Sequence, residues 1–259
     1  MRRLLAGLTS IALLSAGALV VTGNSDPIPA RAAVAKEHRF SVFCEPVHRS
    51  AEDPFLDPIG TDQDHEHVFF GSLGIITWPN DPVDKEAGMR FAGTSCELLG
   101  DTASYWVPLF QDRNGNVIEP NQVLVYYRHE GTGPVVAHPP GTLLKSFDIE
   151  WGCLDSDSFN APVNCPDRDL RMRVIFKPID VDGTPSPRIA MNVRYDTRQG
   201  KGGEMLGGLA GEHGNFFNTW DQDTYQEKID TCLVASSVAE LTEAEWNALC
   251  PRTSGGEAP

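Results

Sequence analysis

The sequence predicts a mainly β protein, an antiparallel β-sandwich or jelly roll that ends in a small helical segment at about residues 222–250. In residues 171–177 and 188–195, apolar side chains recur with a period of two on one face, and the other face carries mostly charged or polar side chains. That period is typical of antiparallel strands with one buried face. If residues 178–187 connect these two strands, the strands pair with each other.

Two further segments predict strands because they are rich in aromatic and β-branched residues. They are residues 105–110 and 122–129, and this composition is common in β-sheets. Between them, Asn114-Gly115 in the segment 112–116 suits a tight hairpin turn. The oxygen-rich residues of that segment are also compatible with calcium, although the further acidic ligands of a calcium loop are missing. Residues 201–214 are rich in glycine and predict a loop.

Helical periodicity begins after Asp223. The apolar stripe of the first helix consists of Tyr225, Ile229, Cys232 and Leu233, and its spacing is that of one helix face. A second helix starts near Thr242, which is a suitable N-cap, with Glu245 completing a capping box. Leu241 and Trp246 have the spacing of a hydrophobic staple, and Pro251 ends the helix.

Length and charge limit the possible functions. The chain has 259 residues, enough for a sizeable core, and 36 acidic against 21 basic residues give it a net charge of −15. A nucleic-acid partner is not expected, because binding phosphates requires clustered cations.

The first 32 residues have the layout of a secretory signal peptide. Arg2 and Arg3 precede an apolar stretch, and a small-x-small motif at residues 30–32 provides a cleavage site. The alternative is a membrane anchor, since 18 apolar residues are near the lower limit for a span. Glycine, serine and threonine dilute the stretch, which favours the signal peptide. We therefore expect a secreted protein without a stable membrane anchor, with residues 33–259 forming a single domain.

All six cysteines follow the signal peptide. An even number in an exported protein indicates three disulfides, for which 15 connectivities are possible. Local spacing favours Cys153–Cys165 and Cys232–Cys250, which leaves Cys44–Cys96. A thiolate metal site is the alternative, but the chain has no CxxC motif.

Histidines are the strongest candidates for chemistry. His65 and His67 point to the same side if residues 64–71 form a strand, about 7 Å apart along it. That distance suits two imidazoles on one metal or an acid–base pair. The neighbouring carboxylates of Asp62, Asp64 and Glu66 would orient the imidazoles or raise their pKa values. The alternative is a solvated polar end of a strand.

A third histidine, His213, lies in a segment whose glycines suggest tight backbone packing. Gly211 and Gly214 flank it, and such positions do not admit bulkier residues. The alternative is an ordinary loop histidine. His129 and His138 flank a Gly/Pro-rich loop and are expected to face solvent.

A set of cations lies on the polar faces of the strands at 171–177 and 188–195. If the strands pair, they form a basic stripe of Arg171, Arg173, Lys177, Arg188 and Arg194. In an acidic chain this stripe suits an acidic glycan or another anion. Alternatively, neighbouring carboxylates neutralise a solvated face.

Several of these segments resemble the DUF1996 family of secreted proteins. The similar segments are FSVFCEPVHRSAEDPFLDPIG, DHEHVFFG, TSCELLGDTASYWVPLFQ, QVLVYYR, WGCLD, VNCPDRDLRMRVIF and HGNFFNTWDQDTYQEKIDTC. The resemblance covers residues 40–233 and supports the pair Cys153–Cys165. The chain departs from the family pattern at residues 180–183, where the family has Cys-Trp-Asp-Gly, and at Asn192, where it has histidine. The resemblance therefore implies a histidine site reduced to His65, His67 and His213.

The sequence thus predicts action on an extracellular or cell-wall polysaccharide through these three histidines, as acid–base groups or ligands of a transition metal. The polysaccharide setting follows by association, because fungal members of the family carry sugar-binding modules beside this domain. In this hypothesis Asp64 or Asp221 orients an imidazole, and Tyr126 or Tyr127 stacks on the substrate or donates a proton. Substrate would be held by Asn192, Arg171, Arg173 and Arg194. The alternatives are a non-catalytic glycan- or envelope-binding module and a transition-metal-binding or redox protein.

Overall fold

A computed structural model describes residues 38–51, 65–74, 88–112, 114–153, 169–196, 203–205 and 212–250. The predicted signal peptide lies outside these residues. Within them the chain is mainly β, as the sequence predicts, with short helices after residue 221. No helix of the described part combines the length and the apolar character needed to cross a bilayer.

The described residues form fifteen strands. In chain order these are β1 (Arg39–Cys44), β2 (Pro46–Ser50), β3 (His67–Gly71), β4 (Ser104–Pro108), β5 (Phe110–Asp112), β6 (Val117–Ile118), β7 (Pro120–Arg128), β8 (Leu143–Ser146), β9 (Ile149–Cys153), β10 (Leu170–Phe176), β11 (Asp180–Val181), β12 (Thr184–Pro185), β13 (Arg188–Tyr195), β14 (Gly203–Met205) and β15 (Gly214–Phe217).

Two five-stranded antiparallel sheets make up the sandwich. We call the sheet with strand order β2-β3-β4-β15-β8 the front sheet, and the sheet with order β1-β7-β13-β10-β9 the back sheet. Smaller sheets join β14-β5-β6 and β11-β12. The predicted pairing of residues 171–177 with 188–195 is confirmed, because β10 and β13 are antiparallel neighbours.

The core lies between the two sheets. Val174 and Met191 of the back sheet are fully buried and belong to the same apolar cluster as Phe70 and Phe216 of the front sheet. A direct hydrogen bond also crosses between the sheets, joining the hydroxyls of Tyr105 and Tyr127 at 2.5 Å. The period of two in the sequence thus identifies the inward face of each strand.

The outward face of the back sheet differs from the half-buried strands that the sequence predicts. Arg171 and Asn192 are each only 6 % exposed, and Arg39 is 3 % exposed. Alternation predicted which side chains point outward, but it does not tell whether an outward face is covered.

Three helices follow the front sheet: α1 (Gln222–Cys232), α2 (Ala235–Glu240) and α3 (Glu243–Leu249). The predicted apolar stripe of α1 is confirmed, because its residues are fully buried. The predicted capping box of α3 is present, since Thr242 and Glu245 exchange side-chain and backbone hydrogen bonds. Helix α2 has no counterpart among the helices predicted from the sequence.

The structure confirms one predicted turn and differs from the sequence predictions in two other segments. The turn at Asn114-Gly115 is confirmed, because it joins the paired strands β5 and β6 and Gly115 has a φ of 81°. The Asp112 carboxylate accepts hydrogen bonds from the backbone amides of Asn114 and Asn116. The segment 105–110 is divided between β4 and β5, which belong to different sheets. The predicted loop 201–214 contains β14.

Two predicted disulfides are confirmed. Cys44 is bonded to Cys96 and Cys232 to Cys250. Cys153 is also disulfide-bonded, and its predicted partner, Cys165, lies outside the described residues. The bond between Cys232 and Cys250 joins the end of α1 to the end of α3.

Candidate metal centre

The three predicted histidines meet on the outward face of the front sheet. His67 begins β3 and pairs with Pro108 of β4. On the other side of β4, Asn215 of β15 pairs with Trp106, so His213 lies opposite Pro108 in the same register. His67 and His213 thus flank one residue from either side, on strands that are two places apart. Strands two places apart are separated by about 9.5 Å, which two inward-leaning imidazoles can span.

The imidazole rings converge closely. The Nε2 atoms of His67 and His213 are 3.1 Å apart. The ring centroid of His65 lies 4.6 Å from that of His67 and 5.2 Å from that of His213. One nitrogen from each ring can be chosen so that all three lie within 4.8 Å of one another. The site therefore collects three ligand atoms from parts of the chain about 146 residues apart in sequence.

The three imidazole rings differ in how deeply they are buried. His67 is 1 % and His213 0 % exposed, whereas His65 is half-buried. The Nε2 atom of His65 is itself buried. All three rings are therefore largely shielded from bulk water, and the half-buried His65 is the most exposed of them.

Gly214 explains how His213 reaches this position. A Cβ atom on Gly214 would lie 2.8 Å from side-chain atoms of Met191 and Val174 of the back sheet. The backbone at residue 214 therefore lies directly on the core, and a larger residue fits there only if these side chains or the strand shift. This confirms the predicted tight packing beside His213, and it turns the adjacent side chain outward.

Aromatic and polar side chains surround the cluster. Phe147 directly follows β8, its ring centroid is 6.0 Å from that of His213, and its exposed fraction is 64 %. The Lys145 ammonium lies 5.6 Å from the centroid of the Phe147 ring. Asn215, two residues from His213 on the same face, is fully buried, and its amide atoms have no hydrogen-bond partner within the described chain. Such unused hydrogen-bonding capacity is rare in native interiors.

Glu66 does not orient the imidazoles. Its carboxylate forms an ion pair with Arg49, which also pairs with Glu119 at 2.5 Å. Because Glu66 lies between His65 and His67 in the sequence, its side chain points to the other side. The other predicted acidic neighbours, Asp62 and Asp64, lie outside the described residues.

The structure does not bring Asp221 or Tyr127 into this cluster. The Asp221 side chain caps α1 by accepting hydrogen bonds from the backbone amide and hydroxyl of Thr224. Tyr127 is fully buried between the sheets, where the Trp220 indole donates a hydrogen bond to its hydroxyl. Both side chains form hydrogen bonds that stabilise the fold, and neither lies where the predicted chemical role requires it.

The predicted substrate-binding residues lie on the back sheet. Arg173 donates a hydrogen bond to Asn192 and pairs with Glu150 at 3.4 Å, while Arg194 pairs with Asp169. Arg171 lies opposite Arg194 in the register. The ion pairs agree with the alternative interpretation of this part of the stripe, in which carboxylates neutralise the cations.

His138 is not solvent-facing, contrary to the sequence prediction. It is fully buried, and its two ring nitrogens lie 2.8 Å from the Tyr225 hydroxyl and 2.9 Å from the Ser186 hydroxyl. Burial lowers the pKa of His138 to about 3. A serine, a histidine and a tyrosine in this order resemble a nucleophilic relay, but a base with this pKa does not activate a hydroxyl well at neutral pH. These residues therefore serve the core.

No protein-family model, curated protein or solved structure matches the chain.

Proposed function

We propose that the protein is an exported transition-metal-binding protein whose metal ligands are His65, His67 and His213. The observation that carries this proposal is the convergence of three ring nitrogens within 4.8 Å. Two nitrogens bound to one tetrahedral zinc at about 2.0–2.1 Å are about 3.4 Å apart. The distance of 3.1 Å between the Nε2 atoms of His67 and His213 is close to that value, so small rotations of the side chains complete the set.

The donor set supports a transition metal such as zinc or copper. Imidazole nitrogens suit zinc, copper, iron and nickel, whereas calcium and magnesium require oxygen ligands. Catalytic zinc centres commonly use three protein ligands and keep a further position for water or substrate. A metal bound in this way supplies a Lewis acid and lowers the pKa of a bound water molecule.

We further propose that the ligand or substrate of this centre is an extracellular polysaccharide. Phe147 supports this, because an exposed aromatic ring beside His213 offers the flat apolar surface on which a sugar ring can stack. The buried amide of Asn215 lies on the same face and suits a polar group of a ligand. The predicted signal peptide, the disulfides and the DUF1996 resemblance support an extracellular location.

Metal analysis tests the proposal. The mature protein is purified without a tag, loaded with zinc or copper, dialysed extensively and analysed for bound elements. The His65→Ala/His67→Ala double variant is treated in the same way. His48→Ala is the matched control, because His48 lies on β2 of the same sheet, next to Phe69, and outside the cluster.

We expect nearly one metal ion per chain in the unsubstituted protein and in His48→Ala, and none in the double variant. Binding by all three proteins, or by none, would contradict a centre at these histidines. If no metal binds but sugar binding depends on Phe147, the protein is instead a glycan-binding module without a metal. A polysaccharide panel with Phe147→Ala separates that outcome from the first.

A further inference from the structure

A cavity separate from the histidine cluster lies at one end of the back sheet. Its volume is about 430 Å³. Arg128 at the end of β7, Arg188 at the start of β13 and Lys177 after β10 line it, together with Glu130 and Ser186. A cavity of this volume falls in the range of small-molecule sites. It is a concentration of cations in a chain whose net charge is −15.

The strand register places arginines directly opposite one another at this end of the sheet. Arg39 of β1 is the partner of Arg128, and Arg128 is in turn the partner of Arg188. Like charges directly opposite each other on neighbouring strands destabilise a sheet. A row of three arginines on adjacent strands therefore calls for negative charge nearby.

The described residues supply only part of that charge. Arg188 pairs with Glu130 at 2.6 Å. Among the described residues, no carboxylate lies within ion-pair distance of Arg128 or Lys177. Both side chains are at least partly exposed and line the cavity.

We propose that this cavity binds the oxyanion group of a small anionic ligand, held by Arg128, Arg188 and Lys177. Guanidinium groups form bidentate hydrogen bonds with carboxylate and phosphate groups, and two of them side by side suit a planar or tetrahedral oxyanion. Pro178 and Pro185 also line the cavity and provide apolar walls for the rest of the ligand. The cavity exceeds the size of a single inorganic ion, so the ligand carries the oxyanion on a larger frame.

A neighbouring cavity is lined by residues of both sheets. It has a volume of about 310 Å³, shares Lys177 with the first cavity and is also lined by Lys145 and Phe147. Phe147 is the aromatic residue beside His213. An acidic oligosaccharide that occupies both cavities would contact Phe147, the neighbour of His213, but oxyanion binding does not depend on a metal at the histidine cluster.

Three related sugars test the proposal by isothermal titration calorimetry on the mature protein. Sodium glucuronate and glucose 6-phosphate carry a carboxylate and a phosphate, and glucose is the neutral control. We expect at least one of the two anions to bind about tenfold or more tightly than glucose, since charge-assisted hydrogen bonds are the strong ones. That binding weakens with added salt, because an exposed oxyanion site is screened.

Variants assign the binding to the cavity. Arg128→Gln is expected to weaken it by about tenfold or more. Arg49→Gln is the matched control, because Arg49 carries the same charge and lines neither cavity. Binding should persist in His67→Ala, which separates this proposal from the metal centre. If Arg128→Gln does not fold, the exposed Lys177→Gln replaces it.

Two results would overturn the proposal. One is the absence of saturable binding of either anion at ligand concentrations of about 10 mM. The other is an equal loss of binding in Arg128→Gln and Arg49→Gln, which would indicate a general charge effect.

Discussion

Asp101 carries a carboxyl group that the core keeps protonated at neutral pH. The residue is fully buried, and burial raises its pKa from the usual 3.8 to about 8, although hydrogen bonds donated by the Tyr105 hydroxyl and the Ala103 amide oppose the shift. The Tyr105 hydroxyl lies 2.8 Å from one oxygen of the carboxyl group, and the hydroxyl of Tyr127 and the indole of Trp220 extend the network. Asp101 thus belongs to a buried polar network between the sheets.

The raised pKa predicts the sign of a pH dependence. Between about pH 4 and pH 8, folded Asp101 holds a proton that the unfolded chain has released. The free energy of unfolding therefore falls as the pH rises through this range, because the unfolded state binds fewer protons. In Asp101→Asn this contribution disappears. We expect the stability of the variant relative to the unsubstituted protein to increase steadily from pH 4 to pH 8, measured by urea unfolding.

Two comparisons sharpen this experiment. Asp221→Asn is the control, because hydrogen bonds from Thr224 lower the pKa of Asp221, and its contribution is lost only at acid pH.

His138 acts in the opposite direction, since its lowered pKa makes the stability rise from about pH 3 to pH 6.5. Between pH 4 and 6.5 the contributions of Asp101 and His138 to the pH dependence of the free energy of unfolding nearly cancel. The unsubstituted protein should therefore lose stability mainly above pH 6.5. Parallel pH profiles for the protein and Asp101→Asn would contradict the protonated carboxyl group.

Strand β15 connects core packing with the candidate metal centre. Gly214 packs closely against Val174 and Met191 of the back sheet. His213 directly precedes it in the sequence. An added methyl group forces the sheets apart or shifts the strand, and overpacking of this kind costs about 1–3 kcal/mol. We expect Gly214→Ala to lose that stability and to bind zinc more weakly, because the shift moves one ligand.

Gly133 provides the matched control for this substitution. A Cβ atom on Gly133 would meet nothing within 4 Å, so Gly133→Ala should change neither property measurably. Thermal unfolding and zinc titration of the two variants make the comparison. Unchanged zinc affinity in a destabilised Gly214→Ala would show that the position of His213 does not depend on this contact.

Elements with a strong local pattern were predictable from the sequence, and elements that depend on tertiary context were not. The alternation around Val174 and the stripe of α1 identify buried faces because each pattern repeats over several residues. The hairpin between β11 and β12 was not predicted, although the dipeptide Asp182-Gly183 is a common sequence for its turn. In the structure both residues have the positive φ that such turns require. His138 looked exposed because it lies in a Gly/Pro-rich segment, and only the fold reveals the Tyr225 and Ser186 hydroxyls beside it.

The same distinction applies to the candidate site. A strand over residues 64–71 would place the rings of His65 and His67 on one side. In the structure the strand begins only at His67, yet the two rings are adjacent. The glycine beside His213 predicts close packing there. Their convergence depends on β15 pairing with β4, which local sequence does not specify. The roles proposed for Tyr127 and Asp221 rested on residue type alone, which does not distinguish a reactive group from a buried or capping one.

The two described disulfides constrain different parts of the whole molecule. Cys44–Cys96 connects the end of β1 in the back sheet to the segment that leads into β4 of the front sheet. Cys232–Cys250 closes a short segment that contains only α2 and α3. The first bond therefore constrains the approach of the two sheets, and the second constrains the packing of the helices.

Loop length predicts which bond contributes more to stability. The paired cysteines are 52 residues apart in the first disulfide and 18 in the second. Loop closure in the unfolded chain then gives contributions of about 4 kcal/mol for Cys44–Cys96 and about 3 kcal/mol for Cys232–Cys250. Urea unfolding of Cys44→Ala/Cys96→Ala and Cys232→Ala/Cys250→Ala measures both. A larger loss in the second variant would mean that helix packing, not the junction of the sheets, limits the stability of the fold.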